Sequence, residues 1–176
     1  LAALNLARAL RRTERHKALA SLAGELREQP SPSPEAALAL ALILDTQARS
    51  AVLRDSPHVD PSALRSRGIG ILTKSIDADL GLQDESHALC GLLLQANGDP
   101  ISARNHYRAA LRHSPCHPEA LLAFALLSVR DGDVDAALDV LAKAAEYLPD
   151  DASALLYRHM LASEQDRLRE NLRALV

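Results

Sequence analysis

Apolar residues recur along this chain three and four positions apart, the spacing of one helical face, and the recurrences break at prolines and glycines. Leu1, Leu4, Ala7 and Leu10 make one stripe. Leu19, Leu22 and Leu26 make a second that Pro30 stops, so 1–30 reads as two helices. After the break at Ser31-Pro32-Ser33-Pro34, Ser33 can cap a helix, Pro34 suits its first position and Glu35 complements its dipole. This predicts a helix from Pro34 to about Asp45, continuing or restarting through Leu53. Ser56-Pro57 ends it. Asp60-Pro61 opens the next, to about Leu80, with Leu64, Gly68, Ile71, Leu72 and Ile76 as its buried stripe.

From 84 onward the pattern becomes regular. Asp84 caps a helix to Ala96, Asn97-Gly98 turns, and Asp99 caps a partner helix from Pro100 to about His113. His117-Pro118-Glu119 opens another, Asp131-Gly132 ends it, and Asp133 caps a helix to Tyr147. Laid over 118–151, the segment 84–117 aligns without gaps. Glu85 falls on Glu119, Leu92 on Leu126, Leu93 on Leu127, Gly98 on Gly132, Asp99 on Asp133, Ala103 on Ala137, Ala110 on Ala144 and Pro115 on Pro149. The offset of 34 residues is the period of a helix–turn–helix repeat. Gly91, Ala125, Ala103 and Ala137 are small where the two helices of a hairpin must close.

Outside that block the register weakens. Ala18, Leu22 and Pro30 keep the mutual spacing of Ala103, Tyr107 and Pro115, so 1–31 reads as a degenerate copy with Thr13-Glu14 in place of the Gly-Asp turn. Ala18 and Ala103 are 85 residues apart, two and a half periods, so 32–83 is an irregular helical segment with long or extra helices. Beyond Pro149, Asp150 or Asp151 caps a helix to about Ala162, and a last one spans about Asp166–Leu175. In this pair, 152–176, His159 stands where the small residue belongs, as a terminal unit with one solvated face would have it.

The repeat resembles the tetratricopeptide repeat family, specifically over 84–151 and more weakly over 1–31 and 152–176. The resemblance implies an all-α fold: a right-handed α-solenoid of antiparallel helix hairpins, about ten helices in one helical-repeat domain over 1–176. It also implies a binding scaffold with no chemistry and no cofactor of its own. In that family the first helix of each hairpin lines a concave groove. Carried over by motif, the groove positions are Glu85, Ala88, Leu92 and Gln95, then Glu119, Leu122, Leu126 and Val129. The same offset reaches Ser153, Leu156, Met160 and Ser163.

Family members that clamp a C-terminal carboxylate use Lys, Asn and Arg at such positions, and none stands at these. An apolar row rimmed by glutamates suits an amphipathic helix or an extended apolar segment of a protein partner. The competing reading covers the row with the chain itself, by a terminal helix or by a second copy in a homodimer. Two function classes follow. One is an interaction module, within a larger secretion- or envelope-type bacterial assembly or as a small chaperone for an apolar export substrate. The other is a regulatory or oligomerisation domain cut from a larger enzyme.

Composition agrees with an all-helical chain. Hydrophobic residues make up 48% and are mostly Leu and Ala, with one Phe, three Tyr and no Trp, which favours helices over sheets. The net charge of −3 is uneven: 84–151 carries 5 basic and 11 acidic residues, which favours a basic or neutral partner. With few aromatic platforms and no basic surplus, nucleic acid is not an expected partner. No apolar run approaches the length of a membrane span, Ala36–Leu44 being too short, so no direct membrane insertion is expected. The chain begins at Leu1 rather than Met and reads as an excised or processed segment. A cytoplasmic location is favoured, or a periplasmic one after removal of a signal peptide.

Four constellations invite a chemical reading, and each has a plainer one. His106, His113, Cys116 and His117 lack the second ligand pair of a structural zinc site, so the histidines read as solvated surface residues. Asp131, Asp133 and Asp135 open like a calcium loop, yet Ala136 and Ala142 stand where its Gly and Glu belong, so they read as turn and cap residues. Gly68-x-Gly70 follows no strand and reads as helix packing. Arg8, Arg11, Arg12 and Arg15 line one helical face, a basic stripe that reads as solvated, with a phosphate or an acidic protein as the alternative contact. Cys90 and Cys116 read as reduced thiols. No nucleophile motif is present, and no enzyme activity is expected.

Overall fold

A computed structural model describes residues 2–13, 15–28, 33–54, 56 and 58–147, and these form eight α-helices with no strand among them. By packing, the chain divides into two compact units, Leu1–Ala110 and Leu111–Val176.

The first unit holds α1 (Ala2–Arg12), α2 (His16–Arg27), α3 (Pro34–Leu53), α4 (Pro61–Asp77), α5 (Gln83–Ala96) and most of α6 (Pro100–His113). Its centre is α3, which packs on α1, α2, α4 and α5. Alanines at 36, 37, 39, 41 and 48 of α3 are all buried, and their small side chains let four neighbours approach one helix. One apolar cluster joins Leu4 and Ala7 of α1, Leu19, Leu22 and Leu26 of α2, Leu38, Leu42 and Ile43 of α3, Leu72 of α4, and Cys90 and Leu93 of α5. The Ser33 hydroxyl accepts from the Ala36 N–H at 3.2 Å and caps α3 as its sequence predicts.

α3 runs unbroken to Leu53, so of the two courses its sequence allows past Asp45 it continues and does not restart. Asp45 and Thr46, the polar pair that interrupts the apolar run in sequence, are both buried. Arg49 Nε donates to Asp45 Oδ2 at 2.7 Å, and Thr46 Oγ1 donates to the Leu42 carbonyl at 2.8 Å, so the helix carries them through its core face. The expectation that no segment reaches membrane-span length is corrected here. At 20 residues α3 is long and apolar enough by length and composition, but 67% of that stretch is buried inside the protein, as in a core helix.

Asp60 caps α4, its Oδ1 accepting from the Ser62 N–H at 2.8 Å. A Cβ on Gly68 would stand 3.0 Å from Leu93 Cδ1 and 3.6 Å from Ala41 Cα, so glycine lets α4 close on α5 and α3, whereas Gly70 is exposed with nothing near it. α4 stops at Asp77, short of Leu80, and the chain turns through Asp79 and Leu82, both with left-handed backbone at φ 46° and 52°. Helix α5 therefore enters from Leu82, which offers no side-chain cap, and the predicted cap Asp84 lies inside the first turn instead. Gln83 Nε2 steadies the turn, donating to Asp79 Oδ1 at 2.8 Å.

Between α5 and α6 the chain reverses at Gly98, φ 83°, a conformation that favours glycine. Asp99 Oδ1 accepts from the Ser102 N–H at 3.0 Å, as its position predicts.

The second unit takes the last turn of α6 from Leu111, then α7 (Pro118–Arg130) and α8 (Val134–Tyr147). α7 packs along α8, with buried Leu121 against Leu111, Leu122 and Val140. Gly132 (φ 79°) turns the chain and Asp133 Oδ1 caps α8 at 3.1 Å from the Ala136 N–H, the same device as in the first hairpin. Ala103 and Ala137 have no exposed surface, as close packing at those register positions requires. The helices expected over 151–162 and 166–175, which would make ten, lie outside the described residues.

Candidate partner-binding surface

Each hairpin is held where the repeat register puts its small residues. On α5, Gly91 is seated directly on the Tyr107 ring of α6: a Cβ there would lie 2.6 Å from Cε1 and 2.8 Å from Cδ1. Tyr107 is fully buried, and its hydroxyl donates to Gln95 Oε1 at 2.8 Å. Burial, together with the neighbouring Cys90 thiol, pushes the Tyr107 phenol above its ordinary pKa. It remains a neutral donor at any pH the fold would meet.

Four of the expected groove positions lie on α5, and they have unequal exposure. Ala88 is buried at 3% exposure. Glu85 Oε2 accepts from Arg8 Nη2 of α1 at 2.6 Å. Gln95 is engaged by Tyr107, and Leu92 is half-buried.

On α7 the positions are more open. Leu122 is half-buried, while Leu126 is 42% and Val129 36% exposed. Spaced four and three apart, these three residues share one helical face. Glu119 stands at the N-terminal end of that face with its side chain 65% exposed. Leu156 and Met160 lie outside the described residues.

His117 has a structural task that its sequence position alone does not reveal. It is buried, and its Nδ1 accepts the Ala120 N–H at 3.3 Å, so it caps α7. Glu119 Oε2 lies 3.5 Å from the same nitrogen. A nitrogen that accepts a backbone N–H has no proton to give, so this is proximity and not an ion pair. The exposed Cys116 has its Sγ 4.0 Å from Ser114 Oγ.

His117 is buried and His106 half-buried, so neither is the solvated surface histidine that its sequence suggests, and His106 has partners of its own. It turns into the first unit, where its Nδ1 meets His87 Nδ1 at 2.9 Å and its Nε2 meets the buried Cys90 Sγ at 3.7 Å. Burial pushes the Cys90 thiol up to about 12, so the sulfur keeps its proton and can donate to Nε2. In the tautomer that accepts this donation, His106 carries its hydrogen on Nδ1 and donates to His87 Nδ1. Among the described residues no group of three or more His, Cys, Asp or Glu is placed to hold a metal ion. Helical spacing brings out this trio only once α5 and α6 are known to face each other, for His87 and Cys90 are three apart and His106 stands on the opposite helix.

Burial lowers the His106 pKa below its ordinary 6.5. The unfolded chain therefore binds the proton more readily than the folded one, and the contribution of neutral His106 is present above 6.5 and lost as pH falls below it. Melting temperature is expected to drop as pH goes from about 8 to about 5.5, with a shallower drop in His106→Gln. Equal slopes in parent and variant would remove this residue from the acid response.

Two hairpins of one period, turned by left-handed glycines and closed on small residues, define a helix–turn–helix repeat. Residues 94–159 match the family model described as tetratricopeptide repeat. The chain is also similar to the crystal structure of a thermophilic TPR protein from Thermus thermophilus, with a TM-score of 0.53 and 22% identity over 91% of this chain and 97% of that one. No curated protein matches the chain. Residues 94–159 are thus similar to the tetratricopeptide repeat, and the chain as a whole shares the helical fold of that TPR protein. Such repeats generally mediate protein–protein interaction, and proteins built from them are typically non-catalytic scaffolds.

Proposed function

We propose that this chain is a non-catalytic interaction module that takes an apolar segment of a partner protein, helical or extended, against the open face of α7. The observation that carries the reading is the row Leu122, Leu126 and Val129, two of whose members expose large apolar side chains on one face of a helix whose opposite face is core. Exposed apolar groups in a row at helical spacing are what an incoming amphipathic segment buries. Exposed Glu119 at one end favours a partner with basic flanks over an acidic one. On α5, Leu92 offers a smaller patch of the same kind, its neighbours Glu85 and Gln95 being engaged within the protein.

Leu126→Gln separates binding from folding. With a labelled amphipathic peptide of leucine face and lysine flanks as the probe, the variant is expected to bind with a loss of ~2 kcal/mol, the cost of truncating an apolar anchor. Its stability should change by no more than about 0.5 kcal/mol, since Leu126 is far from fully buried. A melting temperature many degrees lower would make Leu126 a core residue and end the reading. Self-association of the parent that Leu126→Gln abolishes would assign the face to a second copy instead.

A further inference from the structure

Around the middle of α3 two arginines reach one aspartate, and a third lies on the helix α1 that packs against α3. Asp45 is buried at 2% exposure; Arg49 Nε lies 2.7 Å from its Oδ2, and Arg65 Nε of α4 lies 3.7 Å from its Oδ1, beyond hydrogen-bond reach. Neither Asp45 Oδ1 nor Arg65 Nε has a hydrogen-bond partner. Arg65 Nη1 reaches the Ala96 carbonyl at 3.3 Å, a dipole and not a countercharge. The third cation is Arg11, in the last turn of α1, which packs on α3.

The basic stripe of α1 thus divides. Arg8 is neutralised by Glu85, Arg12 and Arg15 are exposed, and Arg11 is half-buried with no hydrogen-bond acceptor among the described residues. Burial first, then the nearby charge of Arg49, lowers the Arg11 pKa, and Asp45 opposes them. Arginine still stays charged at ordinary pH.

We propose that Arg11 and Arg49, with Arg65 behind them, form a binding site for a phosphoryl dianion, either free phosphate or a phosphorylated side chain. Three guanidinium groups against one carboxylate leave two positive charges, and a half-buried guanidinium beside another cation is costly without an anion. A carboxylate would answer only one of the two charges. A phosphoryl group carries nearly two, with oxygens enough for two guanidinium forks. The entry is open: half of the Arg49 side chain is exposed, and its Nη groups remain to donate once Nε is given to Asp45.

The test uses the whole chain with arginine side chains labelled for NMR, titrated near neutral pH with inorganic phosphate and, at matched ionic strength, with acetate. The Arg11 and Arg49 Nε–H signals are expected to shift saturably with phosphate and only weakly with acetate. Arg11→Gln should weaken phosphate binding about tenfold, the effect of losing one charge-assisted hydrogen bond, and Arg12→Gln should leave it unchanged. Should Arg11→Gln fail to fold, Arg11→Lys, which keeps the charge and loses the fork, should still bind severalfold more weakly.

Linear shifts equal in the two anions would mean screening alone, and the proposal would fall. Acetate saturating as tightly as phosphate would overturn the assignment to a dianion, and an equal loss in Arg12→Gln would reduce the site to a diffuse field. O-phosphoserine binding more tightly than phosphate places the site's use on a phosphorylated side chain; the reverse order places it on the free ion. Either order sustains the proposal, and the outcome is independent of Leu126 and the α7 face.

Discussion

Gly91→Ala is expected to lower the melting temperature even though alanine is the better helix former. The added Cβ would sit 2.6 Å from Tyr107 Cε1, closer than non-bonded carbons come, and the ring it meets is fully buried and cannot swing away. Overpacking of this kind costs up to about 3 kcal/mol, against which the helix propensity of alanine returns roughly 1, leaving a net loss of about 2 kcal/mol. For a chain of this size that is a fall of about 5 °C. Tyr107 would also have to leave Gln95, whose Oε1 it now meets at 2.8 Å. Partner substitutions separate the two causes. Tyr107→Leu in the Gly91→Ala background should recover much of the loss, because the ring is gone. Tyr107→Phe should not, because only the hydroxyl is gone. A melt of Gly91→Ala within a degree of the parent would mean the hairpin closes elsewhere.

What the sequence makes legible here is whatever one turn of chain decides. Gly98 and Gly132 announce left-handed turns, Ser33, Asp60, Asp99 and Asp133 announce caps, and each of these is found as its local chemistry requires. The packing role of Gly91 follows from the 34-residue register and holds for the same reason. Position 45 leaves the course of the helix open because a carboxylate inside an apolar run looks like a helix end, and only Arg49 and Arg65, one of them on another helix, make it a core residue. The start of α5 misleads because a left-handed Leu82 has no sequence signature of its own. On the candidate surface, register names the face but not its occupancy. Arg8 reaches Glu85 across 77 residues of sequence, a pairing that no local pattern encodes. His87, Cys90 and His106 escape notice likewise until α5 and α6 are laid face to face.

Asp45→Asn should be among the most damaging isosteric changes in the first unit. The amide keeps the carboxylate's shape and removes its charge, so any loss is electrostatic rather than a cavity. Arg49 can recover part of the loss in water, since half its side chain is exposed, but Arg65 is only 13% exposed and has no other anion among the described residues. Removing one partner of a buried ion pair commonly costs roughly 3–5 kcal/mol, and the exposure of Arg49 puts the expected loss near the lower end, about 3 kcal/mol. Urea unfolding should show it as a lower midpoint at unchanged slope. Adding Arg65→Met should then restore stability relative to Asp45→Asn alone, because it removes the stranded cation while keeping the apolar stem that packs against α3. Should the double variant prove the less stable of the two, Arg65 would be held chiefly by the Ala96 carbonyl it meets at 3.3 Å, and Asp45 would not be what seats α4 on α3.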